Sequence, residues 1–169
     1  MKAAEALTIG IIVLGAIDTW LTAEIIKVPV WVTFIAWASF FILGGGGDGW
    51  IRSVTSNITG VCIASLTLLA IALLPDNIFV ASILVGVGSG LMVQAAKIGL
   101  ISKLPAIVWG FAAMVGTTAA TGSSILTTEW TAHPTGIAIV AVIIGASFGF
   151  VHELMANAMT TTEEREIKG

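Results

Sequence analysis

The amino-acid sequence predicts an all-α integral membrane protein with six transmembrane helices, arranged as two inverted three-helix repeats. Hydrophobic residues make up 57% of the chain, charged residues make up 10%, and the mean hydropathy is +1.04. A soluble domain carries about 25% charged residues, so lipid is the expected solvent. Six apolar segments approach the length that a bilayer requires, and the chain pairs with itself at a shift of 76 residues.

The six predicted spans are delimited by apolar runs and by turn residues. Pro29, Pro105 and Pro134 lie at or near starts, where a missing amide hydrogen costs little. The turn at Pro75-Asp76-Asn77 separates the third span from the fourth, and it also separates the two repeats. The predicted spans are 7–26, 28–44, 56–74, 77–97, 104–120 and 135–156.

The repeat is indicated by two short motifs at one shift. Lys27-Val28-Pro29 matches Lys103-Leu104-Pro105, and Thr59-Gly60 matches Thr135-Gly136. A repeat with three spans is followed by a second copy of opposite orientation, which is a recurring architecture of membrane transporters. We therefore predict one transmembrane domain over 1–169, with repeat 1 over about 1–75, repeat 2 over about 76–157 and a polar tail over 158–169.

Positive charges predict the orientation in the membrane. With a cytoplasmic N-terminus, only Lys27 faces the other side, and both termini are cytoplasmic. The cytoplasmic side then receives Lys2, Arg52, Lys97, Lys103, Arg165 and Lys168.

Two connections are rich in small residues. The segment 44–58 begins with four glycines, and the segment 120–134 contains Gly122, Ser123 and Ser124. Non-helical backbone at membrane depth is tolerated only where it is buried in protein or lines water. The segments are therefore either two re-entrant segments that enter from opposite faces or two surface loops.

Asp18 is the most informative polar residue in the predicted spans, because an acid there is costly and often marks a pathway. The shift of 76 residues matches Asp18 to Gln94. A carboxyl and an amide at matched positions are predicted to hydrogen-bond a small solute from two sides, or one another. In the alternative, Asp18 lies at the outer interface.

Further polar and aromatic residues complete the candidate site. Trp37 in the second span and Trp109 in the fifth either form an apolar constriction that admits small neutral molecules or pack in the core or against lipid. Asn57 and His133 are matched by the repeat, and they either line pore mouths or cap helices. His152 and Glu153, near the inner end of the sixth span, either relay protons with a partner from elsewhere in the bundle or are interfacial residues.

Two stretches resemble a known family. Trp31–Gly49 and Met92–Gly116 are similar to YcdZ-like bacterial inner-membrane proteins, a family catalogued as a domain of unknown function, and Gln94-Ala95-Ala96-Lys97 with Leu104-Pro105 is the most specific part. The resemblance implies a bacterial cytoplasmic membrane location. It implies no substrate and no site residues.

The leading functional hypothesis is a channel or facilitator for a small neutral or weakly polar solute such as urea, an amide, ammonia or a small acid, with its path between the inverted repeats. The alternatives are a proton-coupled secondary transporter that uses Asp18 and a non-transporting membrane scaffold. The expected partners are the lipid bilayer, the solute and further copies of the chain, with a trimer as the assembly. No enzyme motif, metal site, cofactor or nucleic-acid partner is expected, since no Walker loop, metal-ligand cluster or basic run occurs.

Overall fold

The computed structural model describes residues 1–160, and these residues form α-helices, short helical turns and connections without a β-strand. Five apolar helices are long enough to cross a membrane, which indicates a multi-pass membrane protein. The tail 161–169 lies outside the described residues. The six α-helices are α1 (Ala3–Leu21), α2 (Val30–Ile42), α3 (Gly46–Leu73), α4 (Ile78–Ala95), α5 (Leu104–Thr121) and α6 (Pro134–Met159).

The shortest of these helices is α2. The prediction of a membrane-length span over 28–44 is wrong, because α2 has only 13 residues, or about 20 Å at 1.5 Å per residue. A π-helical turn, Thr22–Ile26, extends α1, and Lys27 then adopts a left-handed conformation with φ +61° that ends the helix. The sequence continues through Pro29, so α2 starts only at Val30.

The segment 44–58 is neither a re-entrant segment nor a surface loop, and both readings of it are wrong. Gly44, Gly45 and Gly46 have φ angles of +103°, +67° and +62°, a conformation that glycine adopts without steric cost. The chain therefore turns within three residues and enters α3 at Gly46. By contrast, residues 122–133 are non-helical apart from the 3₁₀ turn Trp130–Ala132, and they lie mostly exposed.

Two helix pairs make the closest approaches. α2 packs along α6, and α3 packs along α5. A methyl group added at Gly145 of α6 would overlap the backbone oxygen of Thr33, and one added at Gly60 of α3 would overlap the backbone oxygen of Ile107. These glycines let the backbones touch, as small residues do in membrane helix packing.

An apolar core fills the space between α2, α3, α5 and α6. α1 packs against α6, and α4 packs against α3 and leaves most of its surface exposed. The core consists of Val28, Val32, Ala36, Val61, Ala64, Ala113, Met114, Ala138, Ala141 and Val142.

Side-chain and backbone contacts fix the direction of each helix. α1 runs antiparallel to α6, since the Met1 amino group donates to the Met159 backbone oxygen at 3.2 Å and His152 contacts the Leu7 oxygen. α3 also runs antiparallel to α6, because Trp50 contacts Ser147 and Ser65 contacts Thr135. Together with the short turns, these contacts make α1, α3 and α5 run in one direction and α2, α4 and α6 in the other.

Candidate functional site

A cluster of uncharged polar side chains lies buried between α2 and α3. Ser56 and Asn57 lie three and four residues after Ser53 on α3 and so are its neighbours on the helix surface, and Ser39 of α2 bonds to Ser53 and Asn57. All four residues are fully buried. Asn57 Nδ2 donates to Ser39 Oγ at 2.9 Å and to the Ser53 backbone oxygen at 2.8 Å. We call these four residues the Ser–Asn cluster.

Two polar atoms of the Ser–Asn cluster have no hydrogen-bond partner. These atoms are Asn57 Oδ1 and Ser56 Oγ, and both are inaccessible to solvent. The amide orientation is determined by the Ser53 carbonyl oxygen, since a flipped Asn57 would place two carbonyl oxygens against each other. Buried polar groups in proteins are nearly always paired, so an unpaired one calls for an explanation such as an ordered water, an ion, strain or a functional role. The cluster thus offers one free acceptor and one free hydroxyl.

The Ser–Asn cluster lies close to the middle of the longest described helix. α3 has 28 residues, and Asn57 is the twelfth. At 1.5 Å per residue, Asn57 lies about 16 Å from the start of a helix about 42 Å long. No charged side chain hydrogen-bonds to the cluster among residues 1–160. The cluster is therefore a neutral hydrogen-bonding site deep inside the bundle.

Asp18 is fully buried where α1 packs on α2. Its Oδ2 lies 2.5 Å from Thr33 Oγ, and the Thr33 Oγ lies 2.6 Å from the Val30 backbone oxygen. Its Oδ1 has no partner. The carboxyl group therefore does not extend to solvent but contacts α2, while its place one turn before the end of α1 agrees with a position near the outer interface.

Asp18 and Gln94 do not meet, and the prediction that they face one solute or one another is wrong. Gln94 is exposed, and it lies near the C-terminal end of α4, whereas Asp18 lies near the C-terminal end of α1. Because α1 and α4 run in opposite directions, the two residues are at opposite ends of the bundle.

Trp37 contacts the ring of His152 and not Trp109. The Trp37 Nε1 group donates to His152 Nδ1 at 3.2 Å, and the rings of Phe34 and Phe148 flank the indole. Trp109 is half-buried on α5 and shares no ring contact with Trp37 among the described residues. The predicted constriction of these two tryptophans is therefore wrong, and the packing alternative describes Trp37.

The two histidines have different surroundings. His133 Nδ1 accepts from the Thr135 amide at 3.2 Å at the start of α6, in agreement with the capping alternative. Asn57, in the middle of α3, neither caps a helix nor lines a mouth. His152 is buried, and its Nε2 lies 2.9 Å from the Leu7 oxygen, so its interfacial interpretation is wrong. The imidazole lies beside Gly10 of α1, where any larger residue than glycine would overlap it. The presence of a glycine at position 10 is therefore the sequence feature that accompanies the burial of His152.

Glu153 binds the start of α3. Its Oε2 accepts from the Gly46 amide at 2.7 Å. The helix start presents free amide hydrogens and partial positive charge, so a carboxylate is a favourable partner. This contact joins the glycine turn to α6 across more than a hundred residues.

A model of a known protein family matches most of the chain. It is described as a protein of unknown function, DUF1097, and it matches residues 6–157. The chain belongs to the DUF1097 family. No curated protein and no solved structure matches the chain. The narrower YcdZ-like resemblance and the bacterial location stay predictions.

A groove of about 540 Å³ opens between α1 and α2 of this DUF1097 protein, and its lining is mainly apolar. Neither Asp18 nor a member of the Ser–Asn cluster lines it. Within residues 1–160, no group of three His, Cys, Asp or Glu side chains is placed to hold a metal ion. The groove is lined by Leu7, Thr8, Ile11, Phe34, Trp37, Ala38, Phe41 and His152.

Two buried polar sites therefore remain for chemical interpretation in this DUF1097 protein. The Ser–Asn cluster can donate and accept hydrogen bonds but carries no titratable group, while Asp18 can bind or release a proton. Whether Asp18, Gln94, Trp37, Trp109, Asn57 or His133 binds a solute stays a prediction.

Proposed function

We propose that this protein is a membrane facilitator for a small neutral solute that donates and accepts hydrogen bonds, of the water, urea, short amide or ammonia class. The solute binds at the Ser–Asn cluster. The observation that carries the proposal is the pair of unpartnered atoms, Asn57 Oδ1 and Ser56 Oγ, buried near the middle of α3.

The chemistry of the two atoms supports a neutral solute. Asn57 Oδ1 accepts a hydrogen bond, and the Ser56 hydroxyl both donates and accepts. A small molecule with N–H or O–H groups can donate to Asn57 Oδ1, and one with an acceptor can receive the Ser56 hydrogen. An ion is a poor fit, because burying its charge without an opposite charge is costly.

The packing of the helices supports the inverted repeat. In an inverted repeat, α1 corresponds to α4, α2 to α5 and α3 to α6. The α2 and α6 pair then corresponds to the α5 and α3 pair, and both pairs make extensive contact. The α1 and α6 contact likewise corresponds to the α4 and α3 contact. The anchor at Thr59-Gly60 and Thr135-Gly136 is not equivalent, since Gly60 lies in the middle of α3 while Gly136 lies in the first turn of α6. The longer connection before α6 explains this offset.

Solute flux into proteoliposomes tests the proposal. We expect Asn57→Leu to reduce the uptake of urea or a short amide at least about tenfold, because tenfold corresponds to about 1.4 kcal/mol and one hydrogen bond to a buried group has this size. Ser56→Ala should give a smaller loss. Ser65→Ala is the matched control, since Ser65 pairs with Thr135 Oγ1 on the α6 side and should retain flux. Wild-type uptake equal to that of empty liposomes would contradict the proposal.

A proton-coupled transporter is a second candidate, and the buried acid Asp18 favours it. Uptake would then require a pH gradient and would fail in Asp18→Asn. Uptake that is independent of the pH gradient and is retained in Asp18→Asn supports the facilitator. If no tested solute crosses under either condition, the scaffold becomes the preferred function.

The homo-oligomer, with three copies expected, is also our proposal. α4 is the helix with the least buried surface, and added methyl groups at Gly86 and Gly90 would meet nothing within 4 Å. Close helix contact requires such small residues. Chemical cross-linking in lipid should capture oligomers that Gly90→Leu abolishes, while that variant stays folded. Wild-type protein that is monomeric in lipid would contradict it.

A further inference from the structure

Three oxygen atoms lie in a row where α1 meets α2, each within hydrogen-bond distance of the next. An ionised Asp18 would leave only one hydrogen atom for the two contacts between them. Thr33 Oγ lies between Asp18 Oδ2 and the Val30 backbone oxygen, with both distances at hydrogen-bond length. A threonine hydroxyl carries one hydrogen and so donates only one bond at a time. If Asp18 were a carboxylate, the single Thr33 hydrogen would have two acceptors at hydrogen-bond length, and only one of them could receive a full hydrogen bond.

We propose that Asp18 is a proton-binding site and that it is a carboxylic acid in this conformation. Its O–H group donates to Thr33 Oγ, and the Thr33 hydroxyl donates to the Val30 oxygen. Each of the two hydrogens then has one acceptor. The proton lets Thr33 bond to Asp18 and to the Val30 oxygen at the same time, which joins α1 to α2 without loss of the bond within α2.

The surroundings of Asp18 favour the neutral form. The side chain is fully buried, and Oδ1 has no hydrogen-bond donor among the described residues. An unpaired oxygen of this kind is far more costly on a carboxylate than on the carbonyl of a neutral acid.

No opposite charge is available to Asp18 from the elements around it. α2 contains no titratable residue. Beyond α1, Glu24 and Lys27 form an ion pair with each other at 3.8 Å, and both side chains are mostly exposed. On α6, His152 contacts Trp37 and Leu7, and Glu153 contacts Gly46.

Release of the proton would change the contact in a defined way. The proton leaves to water, and the Thr33 hydroxyl turns from the Val30 oxygen to the new carboxylate. The Val30 oxygen loses this bond, and the charged group favours hydration. The adjacent π-helical turn Thr22–Ile26 is the irregular segment next to the site, and such turns occur often at functional positions. The proposal does not depend on the solute site.

Carbon-13 NMR of the full chain in lipid nanodiscs, with label on the aspartate side-chain carbonyl, tests the proposal. The chain has three aspartates, Asp18, Asp48 and Asp76, so three signals are expected. Asp48 and Asp76 are exposed, and Asp48→Asn and Asp76→Asn assign their signals without any change to Asp18. At neutral pH, we expect the third signal alone to have the chemical shift of a neutral acid. Three carboxylate signals would overturn the proposal.

Variants at Thr33 test the hydrogen bond itself. Thr33→Val removes the acceptor for the Asp18 proton and should move the Asp18 signal, whereas Thr33→Ser keeps the hydroxyl and should restore the wild-type position. A signal that is equally insensitive to both changes would overturn the assigned donor. Flux is not measured in either experiment, so failure of the facilitator proposal leaves this result interpretable.

Discussion

Single glycines decide which helices of this protein touch. At Gly145 the backbone of α6 lies directly against the backbone of α2 at Thr33, whereas Gly86 of α4 has open space on its side-chain face. A methyl group is small, but a packed interface has no room for it, and overpacking costs about 1–3 kcal/mol.

Gly145→Ala should therefore destabilise the protein by about 1–3 kcal/mol, while the matched change Gly86→Ala should stay within about 0.5 kcal/mol. The measurement is reversible unfolding of the purified protein in detergent micelles. Equal effects at the two positions would mean that the α2 and α6 backbones do not touch in solution.

The buried histidine makes a second testable residue-scale contact. His152 Nδ1 accepts from Trp37, so a change of either residue leaves the other without its partner. We expect His152→Leu and Trp37→Phe to cost about 1–3 kcal/mol each, and the double variant to cost less than their sum. His133→Leu combined with Trp37→Phe is the control and should be additive, because His133 lies at the start of α6 and contacts Thr135. Additivity in both pairs would exclude the hydrogen bond.

At the scale of elements, the start of α3 depends on a residue from α6. Four glycines in sequence are typical of a flexible loop, and three of them do adopt positive φ angles. The helix nevertheless starts at Gly46, because the Glu153 carboxylate accepts the first amide hydrogen.

Loss of this carboxylate should destabilise α3. We expect Glu153→Ala to cost about 0.5–2 kcal/mol, the usual range for a lost helix cap, and Glu153→Gln to cost less because an oxygen acceptor remains. Glu129→Ala is the control, since Glu129 is exposed in the loop before α6 and should change stability by less than about 0.5 kcal/mol. Amide hydrogen exchange at Gly46–Gly49 is a local readout, and unchanged protection in Glu153→Ala would contradict the cap.

The predictability of these elements from sequence has a physical limit. Apolar length predicted α1, α4, α5 and α6 to within a few residues, because hydropathy reports the bilayer directly. The start of α3 was missed, since its cap comes from a residue far along the chain. That error also hides the Ser–Asn cluster, because a prediction that places Ser53 in a loop loses its helical spacing to Ser56 and Asn57.

The candidate site shows the same limit for another reason. Asn57 was selected, but its partner Ser39 lies on another helix, and no spacing in the sequence reveals that contact. Asp18 was selected for its charge, and its match to Gln94 was misleading. In antiparallel repeats, matched residues lie at the same depth only in the middle of the membrane, and these two lie near helix ends.

At the scale of the whole molecule, helix directions predict where the chain ends lie. The Met1 amino group contacts the Met159 backbone oxygen, so the start of α1 and the end of α6 share one face of the bundle. Residues 122–129 follow α5, which runs as α1 does, and they therefore lie on the opposite face.

Reporter fusions before Met1 and after Gly169 should give the same sidedness, with both reporters cytoplasmic if the positive charges set the orientation. A reporter inserted after Ser124 should show the opposite sidedness. The measurement is paired fluorescent-protein and alkaline-phosphatase activity in cells. Opposite results for the two ends would contradict an even number of crossings.

The contact between Met1 and Met159 also makes circular permutation feasible. A linker could join the end of α6 to the start of α1 on one face of the bundle, and new ends could be opened in the exposed 122–129 connection. Such a permutant would retain the helix contacts of the bundle and place both new termini on the opposite face. In the permutant, α6 would be synthesised first, and it would enter the membrane from the opposite face. Correct folding would then show that helix packing sets the arrangement, whereas misfolding would show that the order of synthesis does.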